Sequence, residues 1–268
     1  MLTALLLPGL FIVMMAQGAA LQPRHLWEWR DDWPAISLAF LLRLIVVPVV
    51  VLLLAKPLIR YWDIDVFAGA GLVIAFLAPP SVAAMALVAI SGGVLPLLAT
   101  LIIGGTVISV LLWPVLGGPL MNMADAPWLW TDVLLWVVMP VLLGMFLRGK
   151  GYAVTRFLPI LASVVTGATI IAALYLGWDD DSLSILLATT ILLFVVLILT
   201  ILAGRLIRLG GDALLTLCLT VLIPVVVMPI ALGTRTEIPQ MGFASACYGI
   251  IGYVLAFVLI VLRQRSRA

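Results

Sequence analysis

The sequence predicts an all-α polytopic membrane protein with nine transmembrane helices, arranged as an inverted repeat in which two broken helices cross. Three observations support this prediction. Hydrophobic residues make up 65% of the 268 residues and charged residues 10%, a composition typical of membrane proteins. Proline interrupts two apolar segments at corresponding places along the chain. Basic residues are concentrated in connections that would lie on one side of a membrane.

Nine apolar stretches are long enough to cross a membrane, because about 18 residues or more span a hydrocarbon core about 30 Å thick. The connections between them are short and leave no room for a soluble domain. Residues 1–268 are therefore expected to form a single membrane domain. The stretches are 3–21, 34–55, 66–92, 94–121, 128–148, 153–177, 183–204, 212–233 and 239–262.

Proline breaks the third and the eighth stretch. The third breaks at Pro79 and Pro80, which are followed by Ser81, and the eighth breaks at Pro224 and Pro229. Proline has no backbone N–H and interrupts a helix. The alternative is that these prolines are ordinary kinks, since proline is common in membrane helices.

The two breaks occupy the same place in two halves of the chain. Four stretches precede the fifth and four follow it, so the halves, approximately 1–121 and 153–262, have opposite orientations and are linked by 128–148. Broken helices at matching places in such an inverted repeat are typical of the substrate site of a membrane carrier. The pattern favours two helices that cross near the middle of the membrane.

Lysine and arginine in the connections predict the orientation. Ten of these basic residues lie on one side of the membrane and three on the other. This asymmetry predicts a cytoplasmic C-terminus, and we expect the protein in the inner or plasma membrane. With an odd number of spans, the N-terminus is then outside. The ten are Arg24, Arg30, Arg148, Lys150, Arg156, Arg205, Arg208, Arg263, Arg265 and Arg267, and the three are Lys56, Arg60 and Arg235.

Residue types exclude several classes of function. No Ser/His/Asp, Cys/His or paired-carboxylate group falls at membrane depth, which argues against an enzyme. No metal-ligand spacing, no cofactor motif and no nucleic-acid-binding patch is found. Each acidic residue lies in a connection or at the end of a stretch, whereas ion-coupled carriers usually hold Na⁺ or H⁺ with a carboxylate inside the membrane. The twelve are Glu28, Asp31, Asp32, Asp63, Asp65, Asp125, Asp132, Asp179, Asp180, Asp181, Asp212 and Glu237.

Arg43 lies well inside an apolar stretch. It is eleven residues beyond Asp32, which is about 16 Å along a helix and near the middle of the hydrocarbon core. A guanidinium at that depth is expected to face the protein interior. Three interpretations stay open. In the first, Arg43 takes the place of a coupling Na⁺ as a fixed charge that donates to backbone carbonyls at the breaks. In the second, it binds an anionic substrate group. In the third, it is a structural residue that pairs with carbonyls or reaches toward an interface.

Four segments carry a resemblance to a known family. They are LLLPGLFIVMMAQGAAL, LLRLIVVPVVVLLLAKPL, GLVIAFLAPPSVAAMALVAISGGVLPLLATLIIGGTVISVLLWPVL and VVMPVLLGMFLRGKG. In order and spacing they resemble the bile acid:sodium symporter (BASS) family, and the similarity covers nearly the whole chain. The start is similar to that of members with nine spans. The resemblance implies a carrier with a panel of helices and a core of crossed helices, in which Na⁺ drives uptake of bile salts or other amphipathic organic anions.

The resemblance also implies where sodium ligands would lie. The Ser-Asn pair of the family falls on Ala84 and Met85, its threonine on Thr106, its glutamate on Thr220, and its glutamines on Pro224 and on Leu42 beside Arg43. Most side-chain oxygens and the negative charge are absent, so weak or no Na⁺ coupling is expected, although backbone carbonyls still offer ligands. The candidate site residues are Arg43, Pro79, Pro80, Ser81, Ala84, Met85, Thr106, Thr220 and Pro224.

These observations favour a secondary-transporter-like carrier for a small organic solute that is anionic or amphipathic. Its expected partners are that solute and the lipid bilayer. The alternative is a non-transporting membrane protein that keeps the fold for binding or sensing, or as the subunit of a protein partner. The missing sodium ligands favour this alternative more than they would in a member that retained them.

The predicted orientation is testable by cysteine labelling. In a variant whose Cys218 and Cys247 are replaced by alanine, a single cysteine at Asp180 should react with an impermeant maleimide from outside. A cysteine at Arg265 should react only after the membrane is opened. Inside labelling at Asp180 would reverse the topology.

Overall fold

The structure is a computed structural model that describes residues 3–21, 33–120, 131–235 and 239–265. Several residues used above to predict orientation and charge distribution lie outside these described residues. They are Arg24, Glu28, Arg30, Asp31, Asp32, Asp125, Glu237 and Arg267.

The described residues form eleven α-helices and a short 3₁₀ helix, so the predicted all-α class is confirmed. The α-helices are α1 (Thr3–Ala20), α2 (Trp33–Tyr61), α3 (Val66–Leu77), α4 (Ala83–Ser91), α5 (Leu95–Leu120), α6 (Thr131–Gly149), α7 (Leu158–Leu176), α8 (Ser182–Leu206), α9 (Gly211–Leu222), α10 (Val227–Arg235) and α11 (Pro239–Arg265). The 3₁₀ helix is Ala153–Arg156.

Within the described ranges, six helices are long and apolar enough to cross a membrane. These are α2, α5, α6, α7, α8 and α11. Helices α3 and α9 are apolar but have 12 residues each, which is about 18 Å of helix and shorter than the hydrocarbon core.

Helices α2 and α6 each contain a π-helical turn just before a proline. Pro48 in α2 and Pro140 in α6 have no N–H to donate. The residue before each proline donates instead across the wider turn, Val47 to the carbonyl of Leu42 and Met139 to that of Leu134. The π turn in α2 spans Leu42–Val46 and therefore carries Arg43. Such turns are frequent at functional sites.

The prolines at 79 and 80 and at 224 separate pairs of short helices. Helix α3 stops at Leu77, where Ala78 turns extended with ψ 141°, because a residue before proline disfavours the helical region. Helix α4 then runs for 9 residues. In the second break, α9 and α10 also have 12 and 9 residues. Pro229 lies inside α10, in the stretch 227–235, and does not end it.

The two breaks contact each other through the backbone. Pro80 and Pro224 form an antiparallel bridge. The N–H of Ser81 donates to the carbonyl of Ile223 at 2.8 Å, and the N–H of Val225 donates to the carbonyl of Pro79 at 2.7 Å. Each break therefore satisfies backbone groups of the other, inside a core where water does not reach them.

Glycine permits the closest helix contacts. A Cβ at Gly18 in α1 would lie 2.0 Å from the carbonyl oxygen of Val141 in α6, and a Cβ at Gly144 in α6 would lie 2.0 Å from that of Met15. Small residues allow helices in membranes to approach in this way. Glycine also permits a close contact beside the second break, where Gly252 in α11 packs against the end of α9.

This packing makes Gly252→Ala a sharp test of the fold. The added Cβ would lie 1.9 Å from the carbonyl oxygen of Leu222, so α9 and α11 must separate, at a loss of about 1–3 kcal/mol of stability. Gly167→Ala in α7 is the control, because a Cβ there meets nothing within 4 Å. Thermal unfolding in detergent should show a lower Tm for the first variant alone, and equal Tm values would contradict the close contact.

Candidate functional site

The breaks bring four of the predicted site residues together. Pro79 and Ser81 exchange backbone hydrogen bonds with the residues on either side of Pro224, and Pro80 is the bridge partner of Pro224. Residues that are 143 to 145 positions apart in the chain thus form one centre, since the two breaks contain Pro79 to Ser81 and Pro224. The family resemblance and the expected crossing of the broken helices predict one site for these residues.

Ser81 precedes α4, and Ala84 and Met85 lie in its first turn. The Ser81 hydroxyl accepts from the N–H of Ala83 at 3.2 Å, and the Ser81 carbonyl accepts from the N–H of Ala84 at 3.0 Å. Ser81 thus accepts from the first two N–H groups of α4, although the N-cap position itself is Val82. The side chain of Ala84 is fully buried, and neither it nor the thioether of Met85 provides an oxygen ligand for a hard cation.

A pocket lies beside the bridge. Arg43, Pro80 and Thr220 line it, together with Thr200 from α8 and Tyr248 from α11, and the rest of its wall is largely apolar. Its cavity volume is about 30 Å³. One water needs about 10–15 Å³ of such volume, so the pocket is narrow in this conformation. Neither Thr200 nor Tyr248 is among the site residues predicted from the sequence.

The guanidinium of Arg43 is directed into this pocket rather than toward lipid. Its Nε and Nη2 atoms are buried and have no hydrogen-bond partner among the described residues. These two nitrogens therefore do not donate to the backbone carbonyls at the breaks, as one of the three interpretations expected. A buried donor without an acceptor is unfavourable by about 1–3 kcal/mol, and by more when it is charged.

Gly105 on α5 makes room for the arginine and for the break. A Cβ at Gly105 would lie 2.6 Å from Cδ of Pro80 and 3.4 Å from Nε of Arg43. The absence of a side chain at 105 lets α5 pack directly on the first break. The GlyGly pair at 104–105 therefore serves close packing, as glycine often does in membrane helices.

Hydroxyl groups satisfy the carbonyls at the ends of the two short helices that precede the breaks. Ser109 donates to the carbonyl of Leu77 at 2.7 Å, and Tyr248 donates to the carbonyl of Val221. Leu77 and Val221 each lie three residues before the bridging proline of their break. Helix C-termini have unsatisfied carbonyls and a partial negative charge, so these oxygens would otherwise be the natural cation ligands.

Thr106 is the predicted ligand position whose oxygen is retained from the family pattern. Its hydroxyl donates to the carbonyl of Ile102 at 2.7 Å and accepts from Nε2 of Gln17 at 2.9 Å. The Oε1 atom of Gln17 is buried without a partner among the described residues. Sequence reasoning missed Gln17, although a lone amide in the first apolar stretch was the available signal.

Thr220, on which the resemblance would place the family's glutamate, donates within its own helix, to the carbonyl of Leu217 at 2.7 Å. Among the described residues, no acidic side chain lines the pocket. The described acids lie near helix ends, as with Asp65, which accepts from the N–H of Phe67 at 2.8 Å and caps α3. The residues around the breaks therefore do not fit a sodium ion held by carboxylate and side-chain amide oxygens.

The first part of the chain matches a known protein family. No curated protein matches the chain, whereas the model of the Sodium Bile acid symporter family matches residues 7–179. This match covers more than half of the chain, from within α1 to just beyond α7, and contains the first break. Members of the family are transporters rather than enzymes. The part of the chain that the structure describes contains six helices long and apolar enough for a multi-pass membrane protein. The chain therefore belongs to the sodium bile acid symporter family.

Proposed function

We propose that the protein is a carrier for a small organic anion or amphipathic organic solute, which binds in the pocket beside the crossed breaks. The observation that carries this proposal is the buried guanidinium of Arg43, whose Nε and Nη2 have no acceptor among the described residues. An anionic group in the pocket would supply those acceptors. The non-transporting alternative is not favoured by membership of a transporter family.

The chemistry of the pocket suits an amphipathic anion. A planar guanidinium binds a carboxylate or sulfonate through two parallel hydrogen bonds, and such charge-assisted bonds are stronger than neutral ones. The apolar side chains of Phe76, Leu101 and Leu217 form other parts of the wall. An apolar wall with a few placed polar groups is typical of small-molecule sites.

The way in which the oxygens near the breaks are used supports our proposal of weak or absent Na⁺ coupling. Ser109 and Tyr248 already donate to the carbonyls of Leu77 and Val221 at the breaks. The Thr106 hydroxyl already makes two hydrogen bonds. A sodium ion would have to displace these donors, and it would share the site with the positive charge of Arg43.

A nine-span inverted repeat, with the halves approximately 1–121 and 153–262 joined by the helix at 128–148, is the architecture that we propose for this carrier. The equal lengths of the short helices support it, since α3 and α9 have 12 residues and α4 and α10 have 9. The symmetric hydrogen bonds between the breaks support it as well. Each pair of short helices then counts as one span.

We further propose that the C-terminus is cytoplasmic and the N-terminus outside, in the inner or plasma membrane. Two contacts between helix ends are consistent with the proposed inner and outer sides of the membrane. Arg263 near the end of α11 pairs with Asp212 at the start of α9 at 2.8 Å, on the proposed inner side. The N–H of Asp65 lies 3.4 Å from Oδ2 of Asp181, on the proposed outer side.

Ligand binding to the purified protein tests the proposed solute class. Benzoate, cholate and taurocholate should be compared with the uncharged benzamide and cholamide by thermal shift and calorimetry. At least one anion should bind about tenfold or more tightly than its amide, because a charge-assisted bond contributes about 1.5–3 kcal/mol. Replacing Na⁺ by choline should change its affinity by less than about tenfold, which is about 1.4 kcal/mol of coupling.

The control for this test is Arg60→Met, which removes a charge from the exposed outer end of α2. It should leave anion affinity unchanged, whereas Arg43→Met should abolish the preference for the anion. Equal binding of acids and amides, or no binding of any of the three anions, would contradict the proposed site. A sodium effect well above tenfold would contradict the weak coupling.

The stability of Arg43→Met separates a binding role from a structural one. Methionine replaces a buried charge with an apolar side chain, and such replacements are often neutral or stabilising. We therefore expect its Tm in detergent without added anion to be no lower than that of the wild type, and Arg43→Lys to keep part of the anion affinity. A clearly lower Tm for Arg43→Met would show that the guanidinium holds the crossed helices together.

A further inference from the structure

From the fixed charge of Arg43 we infer that this carrier exchanges anions across the membrane, one inward for one outward, rather than moving them in net uptake. The inference rests on the proposed function, since it requires that an anion binds at Arg43. It adds a mode of transport that neither the anion site nor the family match assigns.

The charge at the crossing is permanent. An arginine side chain stays protonated in proteins, so it cannot lose its charge when the pocket is empty. Among the described residues, no acidic side chain lines the pocket to neutralise it. The hydroxyl hydrogens of Thr220 and Tyr248 in the pocket wall are donated to the carbonyls of Leu217 and Val221.

This charge affects the two halves of a transport cycle differently. In alternating access, the site passes through a conformation closed to both sides of the membrane. An unpaired guanidinium in such a conformation is strongly unfavourable, because water is excluded and no counter-charge replaces it. A bound monoanion cancels the charge and supplies the missing acceptors of Nε and Nη2. The loaded carrier therefore changes sides readily, while the empty carrier is held back.

A carrier with a fast loaded step and a slow empty step performs exchange. After releasing one anion, it returns quickly only when another anion binds on the same side. One monoanion enters for each one that leaves, so no net charge crosses the membrane. The exchange should then be insensitive to the membrane potential, which acts on net charge movement.

Proteoliposomes test this directly. Of benzoate, cholate and taurocholate, the anion that binds most tightly is added outside in labelled form. The vesicles contain the same anion unlabelled, or mannitol. Uptake should be at least about tenfold faster into anion-loaded vesicles, a rate ratio that corresponds to about 1.4 kcal/mol of barrier. A potassium diffusion potential of either sign, set with valinomycin, should leave the exchange rate unchanged.

Variants connect the exchange to Arg43. Arg43→Lys keeps the charge and should keep a high ratio of uptake into loaded over empty vesicles. Arg43→Gln removes the charge, so its residual uptake should be slower and should proceed equally into both kinds of vesicle. Arg60→Gln, a change at the exposed outer end of the same helix, should behave as the wild type.

The outcomes distinguish the inference from the proposed function. Equal uptake into loaded and empty wild-type vesicles, or uptake that responds to the imposed potential, would overturn exchange while leaving the anion carrier intact. An undiminished ratio in Arg43→Gln would overturn the role of the fixed charge. Binding without transport in either kind of vesicle, or no binding of the three anions, would overturn the carrier itself and exchange with it.

Discussion

The backbone pairing of the two breaks is the constraint on which the rest of the structure depends. Inside a bilayer, every peptide group needs a partner from the protein, and an interrupted helix leaves several without one. Here Pro79 and Ser81 exchange hydrogen bonds with Val225 and Ile223. Neither short helix pair can move without breaking bonds of the other. The pairing thus fixes the place where helices α2, α5, α9 and α11 meet.

Two further carbonyl oxygens, at the ends of the short helices before the breaks, accept from side chains of the long helices that follow. Ser109 on α5 serves the first break and Tyr248 on α11 the second, each at the carbonyl three residues before the bridging proline. The two hydroxyls are of different residue types, so the equivalence is one of geometry rather than of sequence. A donor supplied by the protein at these carbonyls takes a role that a bound cation would otherwise fill.

Local signals in the sequence predicted the helices and the breaks of this fold. They did not predict which side chains form hydrogen bonds between distant helices. The proline runs predicted the breaks, since proline removes a donor wherever it stands. The hydrophobic stretches predicted the helices, although α2 extends past position 55 to Tyr61 because Pro57 is tolerated within it. The roles of Gln17, Ser109 and Tyr248 depend on which helix packs against which, and nothing near them in the chain determines that.

For Arg43, too, the sequence predicted the position of the side chain but not its hydrogen-bond partners. Its depth in the membrane follows from counting residues, and its inward direction follows from the unfavourable energy of a charge in lipid. Its hydrogen-bond partners do not follow from either. Carbonyl oxygens at the breaks were one expected partner, but hydroxyl donors occupy those of Leu77 and Val221, and Nε and Nη2 of Arg43 stay without an acceptor in the described chain.

The π turn explains how α2 presents Arg43 to the pocket without disturbing the packing of its outer half. A π turn contains one residue more than an α-helical turn, and each residue of a helix turns the chain by about 100°. Val51 and Ala55, in the outer half of α2, are buried in the core. Without the extra residue in Leu42–Val46, Arg43 would be rotated about the helix axis by about 100° relative to these two residues. Pro48 favours the wide turn, because it provides no N–H for a regular one. The same proline that interrupts the regular hydrogen bonds of α2 therefore helps to direct the positive charge at the crossing.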